Sequence, residues 1–479
     1  MAKPRIAGPE PRAAAPWALA ALSLSMLLSA LGNSVANIAL PTLAQDLAAS
    51  FQAVQWVVLA YLLTITSLIV SAGRLGDIVG RRRLLLAGIV LFTAASLLGG
   101  MAPTLGWLIA ARAAQGVGAA AMMALTMAFV GETVPKARTG SAMGLLGTMS
   151  AVGTALGPSL GGVLIAAVGW RAIFLVNAPL GLLALLLAYR TLPAGRSAPA
   201  DRPAFDRLGS VLLAAALAAY ALAMTMGRGS FGPLNIALLA AAVAGAGLFV
   251  RAEARAASPL IRLETFRDPA LSAGLATNLL VSTVVMATLV IGPFYLSRAL
   301  GLDAALVGLV VSTGPAVVAV TGVPAGRIVD RFGAQRITVG GLIAIVAGCF
   351  GLSMLPTTSG IAGYVAPLVL ITAGYALFQT ANNTAVMADI PPDRRGVISG
   401  VLNLSRNLGL ITGASAMGAV FALAAGAADI ATAPAEAVAT GMRTTFGVAA
   451  ALMLVAIVVG VAGRARAAGP EPVGPGTAA

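Results

Sequence analysis

The sequence contains no histidine and a single cysteine. Without histidine, the chain cannot build a Ser-His-Asp triad, an imidazole acid/base pair or a histidine-rich metal site. The lone Cys349 excludes an internal disulfide. Lysine is nearly absent as well, and neither Lys3 nor Lys136 stands in the Gly-Lys-Ser/Thr context that a phosphate-binding loop requires. We therefore expect no ATP coupling, no metal, no other cofactor and no enzyme activity.

Charge is scarce too: 10% of the residues are charged, against roughly 25% in an ordinary soluble domain. Hydrophobic residues make up 59%, and they form fourteen blocks near the length of about 20 residues that a membrane span needs. In lipid the backbone must satisfy its own hydrogen bonds, which favours helices. The sequence predicts an all-α integral membrane protein with fourteen transmembrane helices.

The positive residues indicate how the chain lies in the membrane. If the N-terminus is cytoplasmic, the cytoplasmic segments hold 24 of the 30 Lys and Arg residues, as the positive-inside rule expects. Because no basic stripe with stacking aromatics exists, the net charge of +14 does not predict nucleic acid binding. We interpret the first apolar run as an uncleaved span. The expectation is a multi-pass protein of the cell (inner) membrane with both termini cytoplasmic and the lipid bilayer as its surroundings.

A short motif occurs twice and predicts two related halves. Gly73–Arg83 follows the second span, and Gly326–Gly333, with the same Gly-Arg start and a later Asp, follows the tenth. If spans seven and eight are an insertion, each copy follows the second helix of a six-helix bundle, which is a transporter plan. The predicted domains are a cytoplasmic tail, an N-terminal six-helix bundle, linkers with two inserted helices, a C-terminal six-helix bundle and a second cytoplasmic tail, over residues 1–16, 17–190, 191–269, 270–463 and 464–479.

The first copy of the motif is predicted to be a gating loop. Its glycines, Gly73 and Gly80, allow a tight connection, and Arg81 faces the anionic leaflet. Asp77 adds nothing to orientation, so we assign it to a latch, with Asp330 as its counterpart in the second copy. The alternative is a basic loop that only fixes topology.

An arginine lies within the fourth span. Arg112 is about 10 Å from the start of its apolar block at 1.5 Å per residue, and Gln115 shares its helix face. A charge at the centre of a span costs at least roughly 2.5 kcal/mol, so it usually faces a cavity or a partner. We predict a functional role, against the alternative of an arginine that reaches the membrane surface.

The fifth span carries a glycine stripe and a proline. Small residues every four positions let another helix approach closely, and a proline kinks the span beside them. The same letters match a G-x-S-x-G hydrolase elbow at 157–161, which we interpret as accidental because no strand precedes it and histidine is absent. The glycines and the proline that we single out in this span are Gly153, Gly157, Pro158, Gly161 and Gly162.

Polar side chains also concentrate in spans one, twelve and thirteen. Amides in lipid need partners, so they either line a substrate cavity or form a structural network between helices. We favour the cavity. Its predicted lining is Gln115 with Asn33, Asn37, Gln379, Asn382, Asn383, Asn403 and Arg406.

The segment 73–83, the segment around Arg112 and the Gly157-Pro158 segment resemble, in this order, the three signature motifs of major facilitator superfamily drug:proton antiporters. The segments 170–181 and 403–409 resemble the fourteen-span branch of that family. The resemblance implies two six-helix bundles with two inserted helices, proton coupling by Arg112 and a gating role for Asp77. In this branch the first span often carries an acid where this chain has Gly32. We therefore assign proton coupling to Arg112 together with Glu132, at the end of the Arg112 helix.

The predicted function is secondary active export of drugs or other small toxic amphipathic compounds in exchange for protons, by a monomer that alternates access. The proton gradient supplies the energy. One alternative is a dedicated exporter of a metabolite or antibiotic that the host makes. A membrane-embedded enzyme would need catalytic acids or metal ligands, and a sensor would need a soluble domain; the sequence shows neither.

Overall fold

The computed structural model describes the chain as a set of membrane-length helices, over residues 11–133, 139–193, 206–226, 232–256, 267–388, 395–426, 430 and 432–467. These residues form helices and turns and no strand. Thirteen helices are long and apolar enough to cross a membrane, and the shorter apolar stretch Val152–Val168 lies within a further helix. The predicted all-helical membrane fold is confirmed.

The first half contains six crossings. The sixth crossing is broken after one turn, so it is counted as two helices. Their bounds are α1 Pro11–Asp46, α2 Phe51–Val79, α3 Arg81–Gly100, α4 Leu105–Thr133, α5 Thr139–Val168, α6 Ala172–Leu175 and α7 Asn177–Thr191.

Two further helices precede the second half, whose crossings include two π-helical turns, Tyr295–Ala299 and Gly413–Met417. Single π turns interrupt helices at local insertions and are frequent at functional sites. The remaining bounds are α8 Arg207–Thr225, α9 Pro233–Glu253, α10 Pro269–Phe294, α11 Ala304–Phe332, α12 Ala334–Ser353, α13 Gly360–Ala388, α14 Arg395–Thr412, α15 Gly418–Ala425 and α16 Ala435–Ala467.

Successive crossings alternate in direction, which gives the protein two faces. We name them the Asp46 face, where α1 ends, and the Arg81 face, where α3 begins. Helix α1 starts at Pro11 and α16 ends at Ala467, so both terminal helices extend a few residues beyond the apolar blocks.

The repeated motif proves to be mostly helical, which corrects the loop expected over residues 73–83. Helix α2 continues to Val79 and α3 begins at Arg81, so the connection is Gly80 alone. It takes φ +106, a conformation that favours glycine because it has no Cβ. Gly333, with φ +84, makes the same one-residue turn between α11 and α12.

The two halves meet near the Asp46 face. The Phe51 ring, at the start of α2, makes edge-to-face contacts with Phe294 and Phe421 of the second half, with centroids 4.8 and 5.4 Å apart. Gln55 donates a 2.6 Å hydrogen bond to the carbonyl of Ala414. These contacts seal this end of the seam between the halves.

Helix α8 lies against α2 along most of its length. Trp56 Nε1 donates to Thr225 Oγ1 over 3.0 Å near the Asp46 face. Toward the Arg81 face, the hydroxyls of Ser71 and Ser210 form a short hydrogen bond. The first of the two extra helices is therefore fastened to the first half at both ends.

Candidate functional site

Arg112 lies in the middle of the first half, and only 1% of its surface is exposed. Its Nε donates to the carbonyl of Val57 over 2.8 Å, and Nη1 donates to the carbonyl of Gly32 over 2.9 Å. The guanidinium carbon is 4.2 Å from the centroid of the Tyr61 ring. Backbone dipoles and an aromatic face therefore stabilise this buried charge, and no described carboxylate pairs with it.

The arginine is part of a hydrogen-bond network that joins four helices. Arg112 Nη1 also donates to Gln115 Oε1, and Gln115 Nε2 donates to Ser96 Oγ over 2.7 Å. The Tyr61 hydroxyl donates to the carbonyl of Ser29 over 2.7 Å. Since these residues belong to α1 through α4, Arg112 and Gln115 hold the first bundle together; only Arg112 Nη2 is buried without a partner.

Gly32 stands where the resembling branch often carries an acid. A Cβ at this position would lie 3.1 Å from Cζ of Phe92 and 3.5 Å from the Tyr61 hydroxyl, beside the Arg112 site. The carbonyl of Gly32 accepts from Arg112 instead. At this position the chain thus supplies a backbone carbonyl to Arg112 in place of a carboxylate.

Two predicted cavity residues of α1 bond locally. Asn37 Nδ2 donates to the carbonyl of Asn33 over 3.2 Å, while Oδ1 of both residues is buried without a partner. The neighbouring Ser34 hydroxyl donates to the carbonyl of Gly153 in α5 over 3.1 Å. This part of α1 therefore combines a helix contact with two open acceptors.

The glycines of α5 allow close approach on two sides. A Cβ at Gly157 would lie 2.8 Å from the amide nitrogen of Val35 in α1, and Gly153 and Gly161 face α1 in the same way. A Cβ at Gly162 would instead lie 2.9 Å from Cα of Gly308 in α11. Helix α5, which contains the buried Pro158, thus lies between α1 of its own half and α11 of the other.

The residues predicted for the gating segment have different surroundings. Gly73 has open space where a Cβ would stand, and the corresponding acid of the second motif, Asp330, is exposed on α11. The side chain of Asp77 lies outside the described part of the structure, as does that of Glu132, although both backbones are helical. Their predicted roles stay predictions.

The second half contains its own set of buried amides. Asn382 Nδ2 donates to the carbonyl of Gly274 over 3.3 Å, and Oδ1 of Asn382 and Oε1 of Gln379 are buried without partners. Asn383, the next residue, is exposed. Asn403 on α14 is partly buried. The structure thus places these amides on α13 and α14 of one bundle.

Arg406 differs from Arg112. It is partly exposed, donates no hydrogen bond to a described residue, and has a buried Nε without a partner. It lies eleven residues after the start of α14, about 16 Å into the helix. Both arginines lie within membrane-length helices, but only Arg112 has described hydrogen-bond partners.

The sequence analysis missed Asn278, which lies at the contact between α10 and α14. Its Nδ2 donates to the carbonyl of Leu402 over 3.1 Å, and its Oδ1 is buried without a partner. Ser405 completes this contact by donating to the carbonyl of Leu275 over 2.6 Å. A lone asparagine within the apolar block 270–297 was the available signal, because polar residues in a span are costly.

The described residues contain no group of three or more Cys, Asp or Glu side chains able to hold a metal ion. The arrangement instead consists of two apposed bundles with polar atoms buried in their interiors. This is the plan of a transporter, in which the solute passes between halves.

Residues 22–414 match the model of the Major Facilitator Superfamily, and the chain belongs to this family. It is 33% identical over 399 residues to the uncharacterized transporter YebQ of Escherichia coli, covering 83% of this chain and 87% of YebQ. It is also 33% identical over 407 residues to the multidrug resistance protein Stp of Mycobacterium tuberculosis, covering 84% of this chain and 75% of Stp.

The fold is also similar to that of solved transporters. A bacterial homologue of the human lysosomal transporter Spinster, in an inward-facing and unoccupied conformation, superposes with a TM-score of 0.69. The two chains are 16% identical, and the match covers 94% of this chain and 97% of the other. At that identity the likeness establishes the fold alone.

Proposed function

We propose that this protein is a secondary active transporter that exports drugs or other small toxic amphipathic compounds in exchange for protons. Family membership supports transport of a small molecule, and the name of the relative Stp supports export of drugs. The absence of a nucleotide-binding motif favours an ion gradient as the energy source.

The position of α5 is the observation that carries this proposal. Its glycine stripe contacts α1, while Gly162 contacts Gly308 of α11 backbone to backbone. Such smooth surfaces let helices pack closely and move past each other without side chains interlocking. With the seam sealed near the Asp46 face, rocking the halves about α5 would open that face and close the other, which is alternating access.

We propose that the residue that carries the transported proton is an acid near a membrane face. Every described acidic side chain lies within two residues of a helix end: Asp46, Asp206, Glu253, Asp268, Asp303, Asp330 and Glu436. Glu132 stays the proposed coupler because it ends the helix that carries Arg112. Moving one charge through 100 mV supplies roughly 2.3 kcal/mol, enough for about a fifty-fold gradient.

The proposal places the chain in the inner (cytoplasmic) membrane as a monomer with both termini in the cytoplasm. The positive-inside distribution of Lys and Arg supports this orientation. In this orientation the Asp46 face is the outer face, and the contacts of Phe51 and Gln55 join the two halves there.

A susceptibility screen tests the proposal. Cells that lack and cells that overexpress the protein are compared across dyes, biocides and antibiotics of different charge. We expect overexpression to raise the inhibitory concentration at least fourfold for several chemically unrelated compounds. One protected compound alone would favour the dedicated exporter, and protection against none would contradict export.

A second measurement tests the coupling. The purified protein in proteoliposomes should move protons against the direction of a compound identified in that screen. Compound flux without proton movement would remove antiport from the proposal and leave transport in place.

A further inference from the structure

The described membrane interior contains positive charge and no negative charge. Arg112 and Arg406 are charged side chains within membrane-length helices that no described carboxylate pairs with, whereas Arg443 of α16 pairs with Glu436 and the seven described acids lie at helix ends. The chain also has no histidine that could change this balance with pH. A solute that enters between the halves therefore meets a positive electrostatic potential.

Arg406 is the more exposed of these two arginines. Leu402, Ser405 and Gly409 mark the side of α14 that contacts α10, through hydrogen bonds at the first two and close backbone approach at the third. Residues advance by 100° around a helix, so Arg406 lies at the edge of this stripe.

Contacts of α14 and of the π-helical turn that follows it place Arg406 near the first half. Ala414, in that turn, accepts from Gln55 of α2, so this end of the crossing lies against the first half. Arg406 is one residue beyond Ser405, so it lies about 100° around α14 from that contact with α10. Helix α14 also borders α2 of the first half at the seam, and the Arg406 guanidinium is partly exposed and without a described hydrogen-bond partner.

Buried acceptors without partners belong to the same bundle. Oδ1 of Asn278, Oε1 of Gln379 and Oδ1 of Asn382 are each buried without a partner. An unpaired cation requires an anion or a strong acceptor, and unpaired amide oxygens require donors. A ligand with an acidic group would satisfy the partly exposed guanidinium of Arg406.

We propose that the cavity selects amphiphiles carrying a carboxylate, phenolate or similar anionic group, which Arg406 binds, and that it disfavours organic cations. This inference rests on the proposed export function and narrows its substrate class. A guanidinium forms charge-assisted, bidentate hydrogen bonds with a carboxylate, whereas an organic cation finds no counter-charge among the described side chains of the interior. Arg112 adds to the same preference through its charge, while its own hydrogen bonds hold the first bundle.

Two probes with one apolar body test the inference: anthracene-9-carboxylate and anthracen-9-ylmethylammonium. Their dissociation constants are measured on the purified full chain in detergent and their transport in proteoliposomes. We expect the carboxylate to bind at least tenfold more tightly than the ammonium, and Arg406→Gln to remove this preference. Arg406→Lys should restore part of it, since it restores the charge without the planar fork.

Arg443→Gln is the matched control. Arg443 is an arginine of the second half that already pairs with Glu436 on α16. Its loss should leave the preference unchanged. The substituted proteins are compared by thermal melting, and because Arg406 donates no described hydrogen bond, Arg406→Gln should melt as the wild type does.

The inference is overturned if the ammonium binds as tightly as the carboxylate, if neither probe binds, or if Arg406→Gln keeps the preference. These results differ from failure of the proposed function, which would appear as protection against no compound in the susceptibility screen. A transporter that exports cations and ignores the carboxylate would thus retain the function and refute the substrate class.

Discussion

The two halves each place one arginine inside the membrane, but they treat it differently. In the first half, Arg112 is 1% exposed and bonds two backbone carbonyls and Gln115. In the second half, Arg406 is partly exposed and bonds no described residue. The difference indicates that the arginine of the first half stabilises its bundle, whereas the arginine of the second half stays available to a ligand.

The largest expected effect comes from Arg112→Ala. The change removes hydrogen bonds that join α4 to α1 and α2 and leaves a void against the Tyr61 ring. We expect a loss of roughly 3 kcal/mol in stability and complete loss of export, because a buried charge network is broken. Thermal melting in detergent and the resistance of expressing cells measure the two effects. Unchanged melting would show that the network does not hold the bundle.

The next effect concerns the glycine contacts between α5 and α1. Gly157→Leu places a branched side chain against Ser34 and Val35 of α1 and should lower export more than tenfold. Gly340→Leu on α12 is the matched control, since no atom lies within 4 Å of where its Cβ would stand. Export rates in proteoliposomes, normalised to folded protein, check the pair. Equal rates for the two variants would show that α5 does not need its smooth face.

A third expectation concerns proton coupling at the ends of corresponding helices. Glu132 stands one residue before the end of α4, and Asp389 directly follows α13. Glu132→Gln should abolish compound-driven proton movement while leaving downhill flux of the compound, because an amide cannot carry the proton. If coupling survives Glu132→Gln and fails in Asp389→Asn, the proton carrier belongs to the second half.

The smallest effect tests the repeated turn. Gly80→Ala and Gly333→Ala force a Cβ into φ +106 and φ +84, a sparsely populated region that costs about 1 to 3 kcal/mol each. Both variants should melt a few degrees lower than the wild type, by similar amounts. Gly73→Ala, at a position with open space, should not. A large difference between Gly80 and Gly333 would mean that the two turns are not equivalent.

The sequence predicts the helices well because each membrane crossing needs a long apolar block, and such blocks are visible without knowing their neighbours. It also identifies Arg112, since a charge within a block is conspicuous. One of its partners, Gln115, shares its helix face, but the other two are the backbone carbonyls of Val57 and Gly32, which any residue type could supply and the sequence does not reveal.

The same limit explains the errors in the motifs. The letters of the segment 73–83 favour a loop, but the helix continues to Val79 because one glycine with positive φ suffices for the turn. Asn278 was missed because its role depends on the Leu402 carbonyl of another helix. Packing between helices, rather than composition, decides which polar atoms are paired and which stay open.

Melting the wild type, Arg112→Ala and Arg406→Gln with and without anthracene-9-carboxylate tests this division of roles most directly. The account predicts that Arg112→Ala melts several degrees lower without ligand. It predicts that Arg406→Gln melts like the wild type but is no longer stabilised by the carboxylate. The opposite pattern, an unstable Arg406→Gln and a stable Arg112→Ala that has lost the ligand effect, would contradict it.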